Sequence, residues 1–455
     1  MKRCFFPSLI FLSFAFVQMV QGGPPNVIIV YTDDQGSVDA NCYGATDLET
    51  PNIDRLAKSG VRFTQMLAPS GICSASRAGL MTGQIPARAG VAGNVSSSRG
   101  NEGMPTSKVT LAELLKSNGY TTGHVGKWHL GYTPETMPNG QGFDYSFGHM
   151  GGCIDNYSHF FYWSGPNRHD LWRNGEEIWQ DGTYFGDSMV EEVKGFIDSN
   201  RDGPFFVYWA INSPHYPLQG TAKWREYYKN LPEPRNKYAA FVSTTDEMVG
   251  ELLDHLEASG LRDDTVVIFQ SDHGHSVEER TFYGGGSAGP YRGHKATLWE
   301  GGLRVPSVVS WPNGIPQGEV RDQMVCGIDW YPTIAELTGS SIAENHPVDG
   351  RSMVELIRSN SVASAHKTLY WRLGNDPVKS KWAVREGKWK LLGNASEIVR
   401  PEGIPELSKD DKRLFLVDLD SDPGEASNLS SEHPELVERL IEIREQYEAS
   451  FASEP

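Results

Sequence analysis

Along its apolar and polar positions the chain shows two textures. Asn26 to Tyr31 (Asn-Val-Ile-Ile-Val-Tyr) is a continuous apolar, β-branched run, the pattern of a strand buried on both faces of a parallel sheet. Pro204 to Ala210 and Thr265 to Phe269 repeat it, and Tyr120 to Val125 predicts a fourth strand. Helical patterns alternate with these runs. One spans about Pro51 to Ser59, with Pro in its first turn and Gly60 ending it. Thr110 to Glu113 reads as a capping box whose helix stops at Gly119. Tyr238 to Glu257 has helical spacing and a polar face. The alternation predicts an α/β fold, a largely parallel sheet flanked by helices.

From about His366 the texture changes. Short alternating runs at Lys367 to Arg372, Trp382 to Arg385, Lys388 to Leu392 and Leu414 to Asp418 predict antiparallel strands. Pro434 to Phe451 predicts a charged amphipathic helix. The expected organisation is a catalytic α/β domain over residues 23–357 and a smaller C-terminal α+β domain over 366–455. Met1-Lys2-Arg3 followed by an apolar run from Phe5 to Val20 predicts a secretory signal peptide over residues 1–22. The run is too short and too interrupted to span a bilayer comfortably. The mature protein is expected to be exported, periplasmic or secreted, without stable membrane insertion.

A net charge of −17 argues against nucleic acid and anionic membranes as partners. An anionic substrate would need a strongly positive local site within this acidic chain. Past the leader stand Cys42, Cys73, Cys153 and Cys326. If Cys73 is chemically modified, three remain, so at most one bridge forms and no disulfide framework is expected.

Chemistry-bearing residues fall just past the ends of the predicted strands: Asp33 and Asp34, Lys127 and His129, His215, and Asp272 with His273. Open α/β sheets bind ligands at the carboxyl ends of their strands, so four strands aim polar tips at one place. Like-charged carboxylates about 4 Å apart cost about 4 kcal/mol per pair at an effective dielectric near 20. A divalent cation is the simple way to keep Asp33, Asp34 and Asp272 ionised, and carboxylates favour a hard ion such as Ca²⁺.

The stretch Ser70 to Gly83 reads as a loop that delivers Cys73 to the start of a short helix ended by Gly83, with Arg77 one turn on. Cys73-Ser74-Ala75-Ser76-Arg77, followed by Ala78-Gly79-Leu80-Met81-Thr82-Gly83, resembles the signature of the formylglycine-dependent sulfatases of the alkaline-phosphatase-like superfamily. Gly126-Lys127-Trp128-His129-Leu130-Gly131, Pro214-His215-Tyr216-Pro217 and Arg292-Gly293-His294-Lys295 are similar to further family segments. So is the run at 416–429, and the likeness extends from Asn26 to about Leu429.

The resemblance implies oxidation of Cys73 by a maturation enzyme to an aldehyde whose hydrate is the nucleophile. It implies metal ligands at Asp33, Asp34, Asp272, residue 73 and His273, where Asn is commoner in the family. It implies sulfate binding by Lys127, Lys295 and His215, with His129 hydrogen-bonded to the aldehyde hydrate. In the implied mechanism Arg77 and the metal help make one hydroxyl a nucleophile, and His215 or Lys295 protonates the departing alcohol. His129 is placed to deprotonate the second hydroxyl, which expels sulfate and regenerates the aldehyde. His294 stands where the family usually has Gly, within reach of a substrate.

The function expected is removal of sulfate from a sulfated carbohydrate or aryl sulfate. The alternatives are a phosphatase or phosphodiesterase of the same superfamily and an inert carbohydrate-binding relative. The Tyr-, Trp-, His- and Asn-rich region from 140 to 187 is expected to be irregular. Most of it packs a long loop in this reading, while His149, His159, Trp163, Arg168 and His169 are candidates without assigned roles for substrate selection.

Overall fold

The computed structural model describes residues 23–163, 166–400 and 403–452; the expected leader lies outside them. The strand Asn26–Thr32 runs between Thr265–Ser271 and Phe205–Ala210, parallel to both, and Thr121–Lys127 and Tyr145–His149 continue the parallel run. Antiparallel pairing of Ser307–Ser310 with Thr265–Ser271 extends one side, and the short strands Trp172–Arg173 and Glu176–Glu177 finish the other. Among the described residues the sheet has ten strands and is mixed but mostly parallel at its centre, in keeping with the α/β expectation.

Its first strand shows why the run is apolar throughout. Val27, Ile29 and Tyr31 face a cluster that includes Ala78, Leu80 and Met81 of the helix Cys73–Thr82. Ile28 and Val30 face the opposite cluster, built from Val193 and Ile197 of Phe185–Ser199 and Val249 and Leu252 of Arg235–Ala258. Helices therefore cover both faces, and the positions Val27 to Tyr31 between them are apolar or aromatic. At the carboxyl end the register aligns the tips: Thr32 lies level with Ser271, and Ala210 pairs with both Tyr31 and Gly126. Gly126 is required at this level. Its φ is 114°, and a Cβ would lie 2.0 Å from the Ala210 carbonyl oxygen.

The expected capping box is present: Thr110 accepts from the Glu113 amide while Glu113 accepts from the Thr110 amide. The region 140–187 is more regular than its composition suggests. Tyr145–His149 joins the main sheet, and Phe185 opens a fifteen-residue helix. Alternation there was hidden because Tyr145–His149 mixes aromatic, small and polar residues in only five positions.

A four-stranded antiparallel sheet follows, in the order Thr368–Leu373, Lys381–Glu386, Trp389–Gly393, Leu414–Asp418. One face carries Leu369, Trp371, Leu392 and Phe415 against Trp299 and Leu303. The other carries Tyr370, Val384 and Leu416 beneath Val437 and Leu440 of the helix Pro434–Ala452. Lys390 of this sheet is wholly buried between Glu300 and Glu425, at 3.0 and 2.9 Å. That triad, with Arg292 bound to Glu397 at 2.7 Å, ties the segment 292–300 to the C-terminal sheet. Cys42, Cys73, Cys153 and Cys326 are free. No helix among the described residues is long and apolar enough to cross a membrane.

Candidate active site

Cys73 is the first residue of its helix, which Gly83 ends in the left-handed conformation. Four neighbouring strands deliver the groups around it. Asp33 and Asp34 follow Asn26–Thr32, Asp272 and His273 follow Thr265–Ser271, Lys127 ends Thr121–Lys127, and His215 lies five residues past Ala210. Asp33, Cys73, Asp272 and His273 present ligand atoms all within 4.8 Å of one another, and so do Asp34, Cys73 and His215. Every one of these residues is buried.

Three cations match the three carboxylates. Lys127 Nζ lies 2.6 Å from Asp33 Oδ2, and Lys295 Nζ lies 3.0 Å from Asp34 Oδ2. Arg77 Nη2 is 3.1 Å from Asp272 Oδ2 and 3.4 Å from Asp33 Oδ1. Arg77 is fixed further by donating to the Lys127 carbonyl and to Tyr208 Oη. The Asp34 amide, whose φ is 66°, donates to Asp272 Oδ1 at 3.2 Å and locks the two loops together.

The electrostatics follow from burial set against these partners. Burial pushes Asp33 up, but Lys127, His215 and Arg77 outweigh it and hold its carboxyl well below the usual range. For Asp34 burial prevails over Lys295, leaving it well above that range. Burial raises Asp272 to about 7. The Cys73 thiol is opposed by burial yet pulled down to about 6 by Lys127 and Lys295. His273, opposed by burial, is raised to about 10 by Asp272 and Cys73. Burial, with Lys295 second, holds His215 well below the ordinary histidine value; burial and then Lys127 do the same to His129.

A divalent cation fits this donor set. Asp34 Oδ1 is buried and makes no hydrogen bond among the described residues, and Asp33 Oδ1 has only the 3.4 Å ion pair with Arg77. Carboxylate oxygens left in that state need a cation nearby. His273 Nδ1 lies 2.9 Å from the Gly274 carbonyl oxygen, which assigns a proton to Nδ1 and leaves Nε2 directed at Cys73 Sγ, 3.2 Å away.

Above the cluster opens a cavity of about 470 Å³, lined in part by Cys73, His129, His215 and Lys295. Its outer wall carries Trp163, stacked on Tyr216 at 5.5 Å, and Arg168. His129 sits at the rim with φ 57°, its Nε2 3.2 Å from the Val95 carbonyl oxygen, and makes no bond to Cys73.

Of the other candidates, His149 is buried beneath the cavity, and His159 and His169 lie behind its wall. His294 points elsewhere. Its Nε2 accepts from the Ile398 amide at 3.2 Å, so it buttresses the C-terminal segment instead of reaching a substrate. Sequence reasoning missed Glu278, 3.3 Å from Lys295, and Tyr208, the partner of Arg77. It also missed the wall Asn94 to Ser98. Tyr208 is signalled only as a polar-tipped residue in an apolar strand; the loop residues carry no local signal.

The Sulfatase family model matches residues 25–340, and the model for the C-terminal part of N-sulphoglucosamine sulphohydrolase matches 293–449. Arylsulfatase J of Mus musculus is 31% identical over 93% of this chain and 75% of its own length. The N-acetylgalactosamine-6-O-sulfatase of Bacteroides thetaiotaomicron is 28% identical over 92% of both chains. Among solved structures, Ps i-CgsB in complex with k-i-k-neocarrahexaose superposes with a TM-score of 0.82 at 31% identity, over 93% of this chain and 92% of its own.

Proposed function

This chain belongs to the sulfatase family and is a sulfuric ester hydrolase, and from that premise we propose that it desulfates a sulfated carbohydrate through an aldehyde made from Cys73. The observation that carries the mechanism is the placement of Cys73 at a helix N-terminus among three cations and three carboxylates. Oxidised by a maturation enzyme, residue 73 supplies a hydrated aldehyde, with one hydroxyl as the nucleophile that takes up the sulfuryl group and a second whose deprotonation expels sulfate from the first and restores the aldehyde.

Asp33, Asp34, Asp272 and residue 73 would hold Ca²⁺, with His273 at the remaining ligand position. Imidazole is a weak partner for so hard an ion, so the carboxylates supply most of its binding. The ion would add Lewis-acid neutralisation of charge on the sulfuryl oxygens.

The remaining roles belong to the chain itself. Arg77, held by Tyr208 and the Lys127 carbonyl, steadies the nucleophilic oxygen. Lys127 and Lys295 are charged and point at the cluster, so their ammonium groups neutralise the sulfuryl oxygens as the ester oxygen–sulfur bond breaks. Lys295, at the cavity side, carries the proton available to the departing sugar oxygen. His215 is held neutral, with Nδ1 bound to the Tyr216 carbonyl, and Nε2 is its acceptor. His129 at the rim accepts the proton of the second hydroxyl.

Support for a carbohydrate comes from the sugar sulfatase among the relatives and from the oligosaccharide bound to the similar solved structure. The aromatic and basic wall of Trp163, Tyr216 and Arg168 suits such a ligand. Export rests on the apolar run of residues 5–20. The test is product release from sulfated oligosaccharides, an aryl sulfate and matched phosphate esters. Sulfate released from one sugar class supports the reading. Phosphate released faster than sulfate would overturn it.

A further inference from the structure

The wall of the cavity is a small hairpin in which Phe160–Phe161 pairs antiparallel with Arg168–His169, Phe161 opposite Arg168 and Phe160 opposite His169. Phe161 and Arg168 line the cavity, so His169 projects from the other face. There its ring meets that of His159, with centroids 6.3 Å apart and planes near perpendicular. His159 is fully buried and His169 is 3% exposed. Both ring nitrogens of His159 and Nε2 of His169 are buried and have no hydrogen-bond partner among the described residues. Leaving such groups unsatisfied in the interior is costly.

The surroundings resolve that cost in one direction. His159, His169 and Asp181 each present a ligand atom, all within 4.8 Å of one another. His169 Nδ1 is 3.1 Å from Glu177 Oε1, and Arg99 holds that carboxylate at 2.7 Å. A carboxylate behind one ring nitrogen places the lone pair on the other, which is how metal-binding histidines are oriented. Trp179 stacks on the His169 ring at 3.8 Å and fixes its plane. Burial, then the neighbouring His169, lowers the His159 pKa and favours the neutral imidazole that a metal requires.

We propose that His159, His169 and Asp181 form a second metal site, one that takes a zinc-class divalent ion. Two imidazoles and one carboxylate are the donors of a borderline ion and suit calcium poorly. Zinc with ligands at about 2.1 Å brings donor atoms to about 3.4 Å from one another, so the set must contract by about an ångström. Asp181 is exposed and can supply that movement. The ion would clamp the turn at residue 181 to the back of the hairpin whose front face holds Arg168 against the substrate cavity.

The site is independent of the sulfatase reading and is tested without turnover. Metal-free protein in saturating Ca²⁺ is titrated with Zn²⁺, and bound zinc per chain is measured by elemental analysis after dialysis. Wild type and Asp272→Asn are expected to retain one zinc each. Asp181→Asn is expected to bind at least tenfold more weakly, and the His159→Ala/His169→Ala variant not at all. Asp181 is exposed, so its variant keeps the fold even if the buried pair proves indispensable. In that event Co²⁺ visible absorption, present in wild type and diminished in Asp181→Asn, decides the matter. Equal binding by wild type and Asp181→Asn, zinc lost only in Asp272→Asn, or no zinc retained by wild type would overturn the proposal.

Discussion

His273 Nε2 lies 3.2 Å from the sulfur of Cys73, closer than the ring's nitrogens lie to the carboxylates of Asp34 (Nδ1, 3.6 Å) and Asp272 (Nε2, 3.5 Å). Before oxidation and without metal, this pair is a thiolate and an imidazolium over a wide pH range. Burial opposes both charges, but Lys127 and Lys295 bring the thiol to about 6, and Asp272 with the thiolate brings the imidazole to about 10.

The first prediction concerns that pair. Thiolate ultraviolet absorbance of unoxidised, metal-free protein rises with a midpoint near pH 6, whereas burial first of all holds Cys42 and Cys153 up at about 12. The linkage has two signs. The depressed thiol contributes stability that is complete above its unfolded value, about 8.5, and is lost as pH falls through 6. The raised imidazole contributes stability that is complete below about 6.5 and is lost as pH rises through 10. A titration with no step below pH 8 contradicts this arrangement.

Lys295→Ala should lower kcat/KM by about 10²-fold, the usual loss when one preorganised donor to a developing charge is removed. Lys295 Nζ lies between Asp34 at 3.0 Å and Glu278 at 3.3 Å, so the loss is electrostatic and Lys295→Arg should recover part of it. Steady-state kinetics on both variants check this; an unchanged kcat/KM in the alanine variant excludes the role.

Calcium should stabilise the protein through the carboxylates. At 100 times its dissociation constant a ligand adds about 2.7 kcal/mol, seen as a rise in Tm. Asp272→Asn should abolish most of that rise, since it removes one of three carboxylates. A Tm that responds to Ca²⁺ equally in both proteins would place the ion elsewhere.

Much of this site was legible because three of the four central strands are nearly all apolar until they end. Asp33, His215 and Asp272 stand out as the first charged groups or histidines beyond such runs, and Lys127 closes a strand of its own. Cys73 and Gly83 bracket a helix by local chemistry alone. Short strands such as Val61–Phe63 and Ser307–Ser310 have too few residues to show a period. His294 was misread because its orientation is set by amides at 398 and 399, about a hundred residues downstream. The pairing of His159 with His169 likewise depends on a hairpin register with no period to announce it.

Arg168 should matter for large substrates and not for small ones. It lines the cavity wall and lies 4.0 Å over the Phe161 ring. Arg168→Ala is expected to raise KM for a sulfated oligosaccharide about tenfold, a loss of about 1.4 kcal/mol, with little change for a small aryl sulfate. Equal effects on both substrates would remove Arg168 from substrate selection.

The most direct measurement joins the chemical state of residue 73 to turnover in one preparation. Protein made with and without a formylglycine-generating enzyme is analysed by peptide mass spectrometry, and sulfate release from a sulfated oligosaccharide is measured on the same samples, with Cys73→Ala beside them. Turnover should rise in proportion to the fraction of residue 73 found as aldehyde and be absent from Cys73→Ala, which stays folded. Full turnover from protein whose residue 73 is entirely thiol, or from Cys73→Ala, would contradict the account.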